Sequence, residues 1–500
     1  MSRRRGVRDR YRRRFDRGRF MKDPLESACP PAPGCGAGAD GAACAAAMAG
    51  MAGMAGMAGV DGVAGVDGVD GVDGVDGADA ARADARRDVA AVALGNAIEF
   101  FDFGAYATFA VMIGRTFFPT QRPFVSLLLS VSVFGLGFVV RPLGALVIGA
   151  YADRAGRKPA MTLTLAMMAV GTGAIAVLPG YETIGVAAPI LLVVTRLIQG
   201  LAWGGEAGPA TTYILEAAPP ERRAAYACWQ VATQGFAAVA AGLAGYALTL
   251  ALPEAELDAW GWRVPFALGL LVLPVGVYIR RRLSDTIDPR HAYCTTREVL
   301  RELNARHRRP IAIGLMILLG STITQYFLNY MTTFALTELH LPGGVAMLAT
   351  FVTGAALAVG ALAGGSLSDR VGRRAILIWP RVLLLLLLFP ALQLIVSRPT
   401  PAVFLATLTV LSGLHGMSGA ALIVLIAESF PQRVRSTGFS IVYAVAVSLF
   451  GGTVQSIVTW LIGTTGNPMA PSGYLLVANA ICIAAGWLAA ETRPGGRGTR

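Results

Sequence analysis

Tyr151-Ala152-Asp153-Arg154-Ala155-Gly156-Arg157-Lys158 returns as Leu367-Ser368-Asp369-Arg370-Val371-Gly372-Arg373-Arg374, each position shifted by 216 (369 − 153). Both copies are short and charged, with long apolar runs before and after them. A cationic turn recurring at the same place in two apolar halves indicates a duplicated bundle embedded in a membrane.

Composition agrees. Hydrophobic residues make up 54% of the 500-residue chain and charged residues 15%, with a mean hydropathy of +0.56. A soluble domain carries roughly 25% charged residues. Apolar runs long enough to cross about 30 Å of hydrocarbon fall at 90–112, 125–150, 160–178, 186–215, 225–250, 264–281, 310–334, 345–366, 375–396, 402–427, 438–463 and 474–490. Lipid offers no partner for open backbone groups, so each run is read as a helix. The expected fold is an all-α membrane protein with twelve transmembrane helices in two pseudo-twofold-related six-helix halves. The halves are expected at 89–281 and 310–490, joined by a cytoplasmic linker at 282–309, with a cytoplasmic tail at 491–500.

The net charge of +12 invites a nucleic-acid reading, and its distribution argues against one. Residues 1–88 carry 14 basic and 13 acidic side chains. In the remainder, 22 of 29 basic residues lie in loops on one side: 151–158, 218–223, 280–309, 367–374, 431–436 and the C-terminal end. Arg115, Arg122, Arg263 and Arg398 fall on the other side. This is the positive-inside asymmetry; it places both termini in the cytoplasm.

Residues 1–88 read as a disordered low-complexity tail. An arginine-rich start gives way to glycine at every third position from Gly50 to Gly77, without the proline a collagen helix needs. Met48, Met51, Met54 and Met57 are candidate true starts, with the upstream stretch a dispensable tail or a mis-called beginning. The six cysteines show no metal-ligand spacing and no disulfide framework, so no metal or cofactor is expected.

The duplication extends beyond the octapeptide. Glu216-x-x-Pro219-x-x-Arg222 after the fourth run is echoed by Glu428-x-x-Pro431-x-Arg433-x-Arg435 after the tenth. Further blocks are Gly95-Asn96-x-x-Glu99-x-x-Asp102-Phe103, Arg141-Pro142-Leu143-Gly144 and Arg196-x-x-Gln199-Gly200-x-x-x-Gly204-Gly205-Glu206. Trp260-Gly261-Trp262-Arg263-x-Pro265-Phe266 and Phe450-Gly451-Gly452 complete the set. With these blocks in this order over about residues 90–490, the chain resembles the major facilitator superfamily, in particular its metabolite:proton symporter branch. Within that branch it looks most like citrate and tricarballylate carriers, notably at Trp229-Gln230 and Phe450-Gly451-Gly452.

In such a two-half arrangement the repeated turns gain a role. Helix N-termini carry unpaired N–H groups and a partial positive charge. Asp153 is expected at the start of the eleventh helix, paired with Arg435 when the cytoplasmic side is closed. Asp369 would do the same at the start of the fifth, near Arg222, Arg223 and Ala224. Gly156 and Gly372 would allow the tight turn, and Arg154, Arg157, Arg370 and Arg373 would neutralise residual carboxylate charge. The bland alternative is that these are ordinary positive-inside loop charges.

Glu99, Asp102, Arg141, Arg196 and Glu206 fall inside apolar runs, all in the first half. Each costs at least about 2.5 kcal/mol at the bilayer centre unless paired or hydrated, so function is the default reading. Two arginines cannot neutralise three carboxylates one for one. Glu99, Asp102 and Glu206 are therefore proton-coupling candidates, the alternative being a structural ion-pair network. Arg381, near the cytoplasmic end of its helix, is expected to snorkel. In the second half Gln325, Asn329 and Thr333 form one stripe at i, i+4, i+8, with Tyr326 and Tyr330 beside it. Gln230 and Gln234 pair next to Trp229. These groups could clasp a small metabolite, with Arg141 or Arg196 facing its carboxylate; the alternative is interhelical packing. His415, among glycines, reads as a bonded, close-packed imidazole ahead of a proton relay.

No Walker A sequence or catalytic constellation appears, so the chain is not read as an enzyme. The resemblance implies a proton-coupled symporter that imports a small carboxylate such as citrate, tricarballylate or a dicarboxylate by alternating access. Its partners would be an organic acid, protons and the lipid bilayer, not nucleic acid, for a monomer in a bacterial inner membrane. The alternative is a proton symporter of a zwitterionic osmolyte such as proline or betaine.

Overall fold

The computed structural model describes residues 96–97, 100–155, 157–204, 211, 214–215, 218–270, 301–303 and 305–493. Of residues 149–150, 152–155, 157–158, 161 and 433 only the backbone is described. The tail at 1–88 and most of the 282–309 linker lie outside the described residues.

All regular structure among the described residues is helical. In the first half α1 covers 100–117, α2 runs over Pro123–Val139 and on through Arg141–Ala155, and α3 is Arg157–Val177. Then come α4 (Ala187–Gly204), α5 (Arg223–Ala251) and α6 (264–270). The second half has α7 (Arg308–Thr337), α8 (Gly343–Val371), α9 (Arg373–Ser397) and α10 (Pro401–Glu428). It ends with α11, which is Gln432–Ala446, a π turn at Val447–Gly451 and Gly452–Thr465, and with α12 (Pro471–Leu488). Among the described residues nine helices are long and apolar enough to cross a membrane, and Thr162–Val177 of α3 is a shorter apolar one. The fold is the twelve-helix membrane bundle in two six-helix halves.

Local chemistry sets the ends. Proline occupies the first helical position of α2, α10 and α12, where its missing N–H costs nothing. Thr400 caps α10 by accepting from the Val403 amide at 3.4 Å. The charged octapeptides are not loops. Asp369 and Arg370 belong to the last turn of α8, and Gly372 alone separates α8 from α9, at φ +127°. Only glycine adopts that backbone without strain. Leu146, Val170, Val177, Leu386, Trp460 and Trp487 stay exposed on the outer surface. This is what a lipid-facing helix needs.

Between halves, glycine lets backbones approach. α5 lies on α8 and α2 on α11. A Cβ added at Gly235 in α5 would sit 2.6 Å from the Gly354 carbonyl oxygen of α8, and one at Gly354 would sit 2.5 Å from that of Gly235. Gly135 and Gly452 meet in the same way between α2 and α11. Small residues at such contacts gain dispersion energy in a solvent that offers no hydrophobic drive. Gly235→Val is expected to cost about 1–3 kcal/mol, seen as a lower thermal midpoint of the detergent-solubilised protein. An unchanged midpoint would refute the contact.

Candidate functional site

A cavity lies between the halves, bounded by α1 and α5 on one side and α7, α8, α10 and α11 on the other. Its first-half wall is mostly apolar and aromatic, with Phe100, Phe103 and Ala107 alongside Thr108 and Gln234. Its second-half wall sets Ser321, Gln325, Asn329, Thr350 and His415 among Leu318, Tyr326, Leu422 and Ile423. Gln325 donates from Nε2 to Asn329 Oδ1 at 3.2 Å, and its Oε1 lies 2.9 Å from His415 Nε2. With Gln325 Nε2 turned to Asn329, its Oε1 accepts, so His415 carries its proton on Nε2.

Helical spacing therefore places Gln325, Asn329 and Gln234 on the cavity. Other residues of the same reading point elsewhere. Tyr330 is buried, its hydroxyl accepting from Thr459 Oγ1 of α11 at 3.0 Å. Thr333 is buried away from the lining. Gln230 turns into the first half, where its Oε1 accepts from Thr211 Oγ1 at 2.9 Å and its carbonyl from Asn96 at 3.3 Å. Trp229 is half-buried and does not line the cavity. Thr350, missed by the reading because α8 shows no polar stripe, bonds across the halves: its Oγ1 lies 3.1 Å from Thr108 Oγ1 and 2.7 Å from Thr332 Oγ1.

Behind the aromatic wall sits a closed polar knot. Asp102 accepts from Arg196 Nη1 at 3.0 Å, Gln199 Nε2 at 3.0 Å and Thr172 Oγ1 at 2.9 Å. Arg196 also donates to Gln199 Oε1 and lies 4.0 Å over the Tyr106 ring. Arg141 is stacked between Phe138 and Trp203, its guanidinium carbon 3.6 Å from each ring centroid. Neither arginine lines the cavity; Phe103 lies against both. Glu99 and Glu206 lie outside the described residues.

Arg381 does not snorkel. It is fully buried, donating from Nη2 to Ser321 Oγ at 3.1 Å and from Nη1 to Asn479 Oδ1 at 3.2 Å. It stands eight residues inside α9, about 12 Å along the axis, on a face turned to α7 and α12 and not to lipid. Side-chain length alone cannot carry the charge back past two packed helices.

On the side of the basic loops the halves are clasped. Asp369 accepts from the amides of Ala224 at 3.1 Å and Ala225 at 2.8 Å, the first turn of α5, and pairs with Arg373 at 2.7 Å. A carboxylate in the last turn of α8 opposes that helix's own dipole, and the α5 N-terminus and Arg373 offset this. Glu428 joins the cluster, pairing with Arg223 at 3.2 Å and Arg373 at 3.6 Å and accepting from Thr492 Oγ1 at 2.6 Å. Glu491 caps α9, accepting from the Arg373 and Arg374 amides at 3.0 Å each. Arg222 and Arg370 are exposed, so the bonded member of the 222–223 pair is Arg223. Arg435 donates from Nε to the Phe430 carbonyl at 3.4 Å. For the first copy, Gly156 and the side chains of Asp153, Arg154 and Arg157 lie outside the described residues.

Known proteins agree with this architecture. A family model described as Major Facilitator Superfamily matches residues 92–456. The chain is 36% identical over 428 residues to a citrate-proton symporter of Salmonella typhi, covering 83% of this chain and 98% of the relative. It is 35% identical over 386 residues to an alpha-ketoglutarate permease of Escherichia coli strain K12, covering 75% and 88%. Among solved structures, a D-xylose-proton symporter superposes with a TM-score of 0.67 at 16% identity, covering 82% of this chain and 98% of that one. Family model, relatives and fold coincide on the same helices, and the chain belongs to the major facilitator superfamily.

Proposed function

We propose that the chain is a proton-coupled symporter that imports a small organic carboxylate, of the citrate or tricarballylate kind, by alternating access about the cavity between its halves. One observation carries the reading. A cavity with hydrogen-bonding groups on its second-half wall lies between halves that Asp369 joins at the α5 N-terminus, a clasp that would shut substrate access on that side while the site remains. The relatives named above for citrate and α-ketoglutarate support the carboxylate class. Gln325 and Asn329 would donate from their amide nitrogens to the substrate's oxygens, with His415 holding Gln325 in place; Gln234 would face them from α5.

The clasp lies on the cytoplasmic side in this reading, since the loops around it carry the excess of Arg and Lys. Both termini and the basic 282–309 linker are then cytoplasmic, in a bacterial inner membrane. The Asp369, Arg373, Arg223 and Glu428 cluster would be one gate, with Asp153 and Arg435 its counterpart. Asp102 already has three donors, so we assign it as the counter-ion of Arg196 and place the transported proton on Glu99 or Glu206. The carrier acts as a monomer and has no enzymatic step.

Reconstitution into liposomes tests this. Labelled citrate, tricarballylate or α-ketoglutarate is expected to accumulate when an inward proton gradient is imposed, and to stop accumulating when an ionophore collapses it. Uptake of proline or betaine and of no carboxylate would reject the reading in favour of an osmolyte carrier.

A further inference from the structure

The cavity needs a positive charge if it is to draw a carboxylate out of water, and among the described residues none that lines it is a lysine or arginine. The two arginines of the first half are held behind aromatic rings: Arg196 is already neutralised by Asp102 at 3.0 Å, and Arg141 is stacked between Phe138 and Trp203 and bonded to the Tyr326 hydroxyl. Among the described residues Arg373 likewise has Asp369 at 2.7 Å. Arg381 differs. It is fully buried, and no carboxylate among the described residues pairs with it. Its partners, Ser321 and Asn479, are neutral. A buried cation held only by neutral groups is an expensive arrangement, and packing alone gives no reason for it.

Its position supplies one. Ser321 Oγ accepts from Arg381 Nη2 at 3.1 Å and lines the cavity. An accepting serine still has its own O–H to donate. One turn further along α7 stands Gln325, bonded to His415. The guanidinium is thus one hydrogen bond behind the polar wall, in surroundings of low dielectric where its field is weakly screened. We propose that Arg381 is the charge that selects an anionic substrate: a carboxylate docks on the Ser321, Gln325 and His415 wall, accepts from Ser321, and compensates Arg381. The assignment rests on the carboxylate reading above and relocates its electrostatic anchor from the first half to the second. Arg381 acts through Ser321, as a specificity-determining positioning residue.

The test uses the full chain in proteoliposomes, with citrate as probe, or tricarballylate or α-ketoglutarate if wild type takes that up instead. Arg381→Gln is expected to raise KM roughly tenfold or more, because the charge-assisted component is lost, with Arg381→Lys recovering most of it. Asn479→Asp places an acid where Nη1 now donates. It retains the cation in an ion pair, and so the fold, yet cancels the charge; KM should again rise roughly tenfold. Thermal midpoints accompany each KM. A merely structural Arg381 would lower the midpoint in Arg381→Gln and leave KM of the folded Asn479→Asp protein at the wild-type value, and that result overturns the proposal. If wild type transports proline or betaine and no carboxylate, the functional reading falls and this assignment with it. Wild-type carboxylate uptake with an unmoved KM in Asn479→Asp removes the assignment alone.

Discussion

Asp369→Asn should reduce uptake at least tenfold and open the face that carries the basic loops to solvent. The wild-type carboxylate holds two amides of the α5 N-terminus, at 3.1 and 2.8 Å, and the fully buried Arg373 at 2.7 Å. Hydrogen bonds to a charged group are worth about 1.5–3 kcal/mol each. Asparagine keeps one acceptor oxygen, loses the charge and leaves Arg373 to Glu428 at 3.6 Å. A shift of about 3 kcal/mol moves a two-state gate by more than a hundredfold, so the clasped state is no longer the resting one. Cys228 gives a direct readout. It is buried one turn into α5, and a Cβ at Gly365 of α8 would come within 2.8 Å of its sulfur. In a chain whose other five cysteines are replaced by serine, a maleimide added from the side of the basic loops should label Cys228 in Asp369→Asn and spare it in the Asp369 parent. Normal uptake with Cys228 still protected would mean that the clasp is not a gate.

Asp102→Asn should be the more damaging change to the folded protein. It strips the counter-ion from a fully buried Arg196 and disturbs three hydrogen bonds at once. Breaking one partner of a buried pair costs about 3–5 kcal/mol. The detergent-solubilised variant should therefore unfold at a clearly lower temperature and reconstitute poorly. Replacing both partners, Asp102→Asn with Arg196→Gln, should restore part of that loss, because no bare charge is then left inside. A single variant as stable as wild type, with uptake that no longer responds to a proton gradient, would instead identify Asp102 as the proton carrier.

The sequence announces the bundle loudly, because a lipid-spanning helix must be apolar over its whole length and the charged octapeptide recurs 216 positions on. Helix ends were harder to read. α8 extends to Val371 where the apolar run stops at 366, since a helix continues past the hydrocarbon as long as its polar groups find partners. Asp369 could be placed near the start of α5 from the dipole argument, yet nothing in the order of residues distinguishes Arg222 from Arg223 as the bonded arginine. The site was half legible. Gln325 and Asn329 share a helical stripe and both reach the cavity; Tyr330, one residue on, is rotated by about 100° into α11. Arg381 misled the reading because a charge near a helix end looks exposed along the axis, while its burial is decided around the axis, by the neighbours it faces.

Glu491 and Thr492 link the end of the fold to the clasp. They reach back to the first turn of α9 and to Glu428 across 118 and 64 residues of chain. Both are synthesised after every transmembrane helix. During biogenesis the twelve helices can be threaded into the bilayer while α9 is still uncapped and Glu428 still lacks one of its partners. The clasp is completed only when the last helix has crossed and its trailing residues have folded under the bundle. A chain interrupted before residue 491 would have its membrane helices and an incomplete clasp.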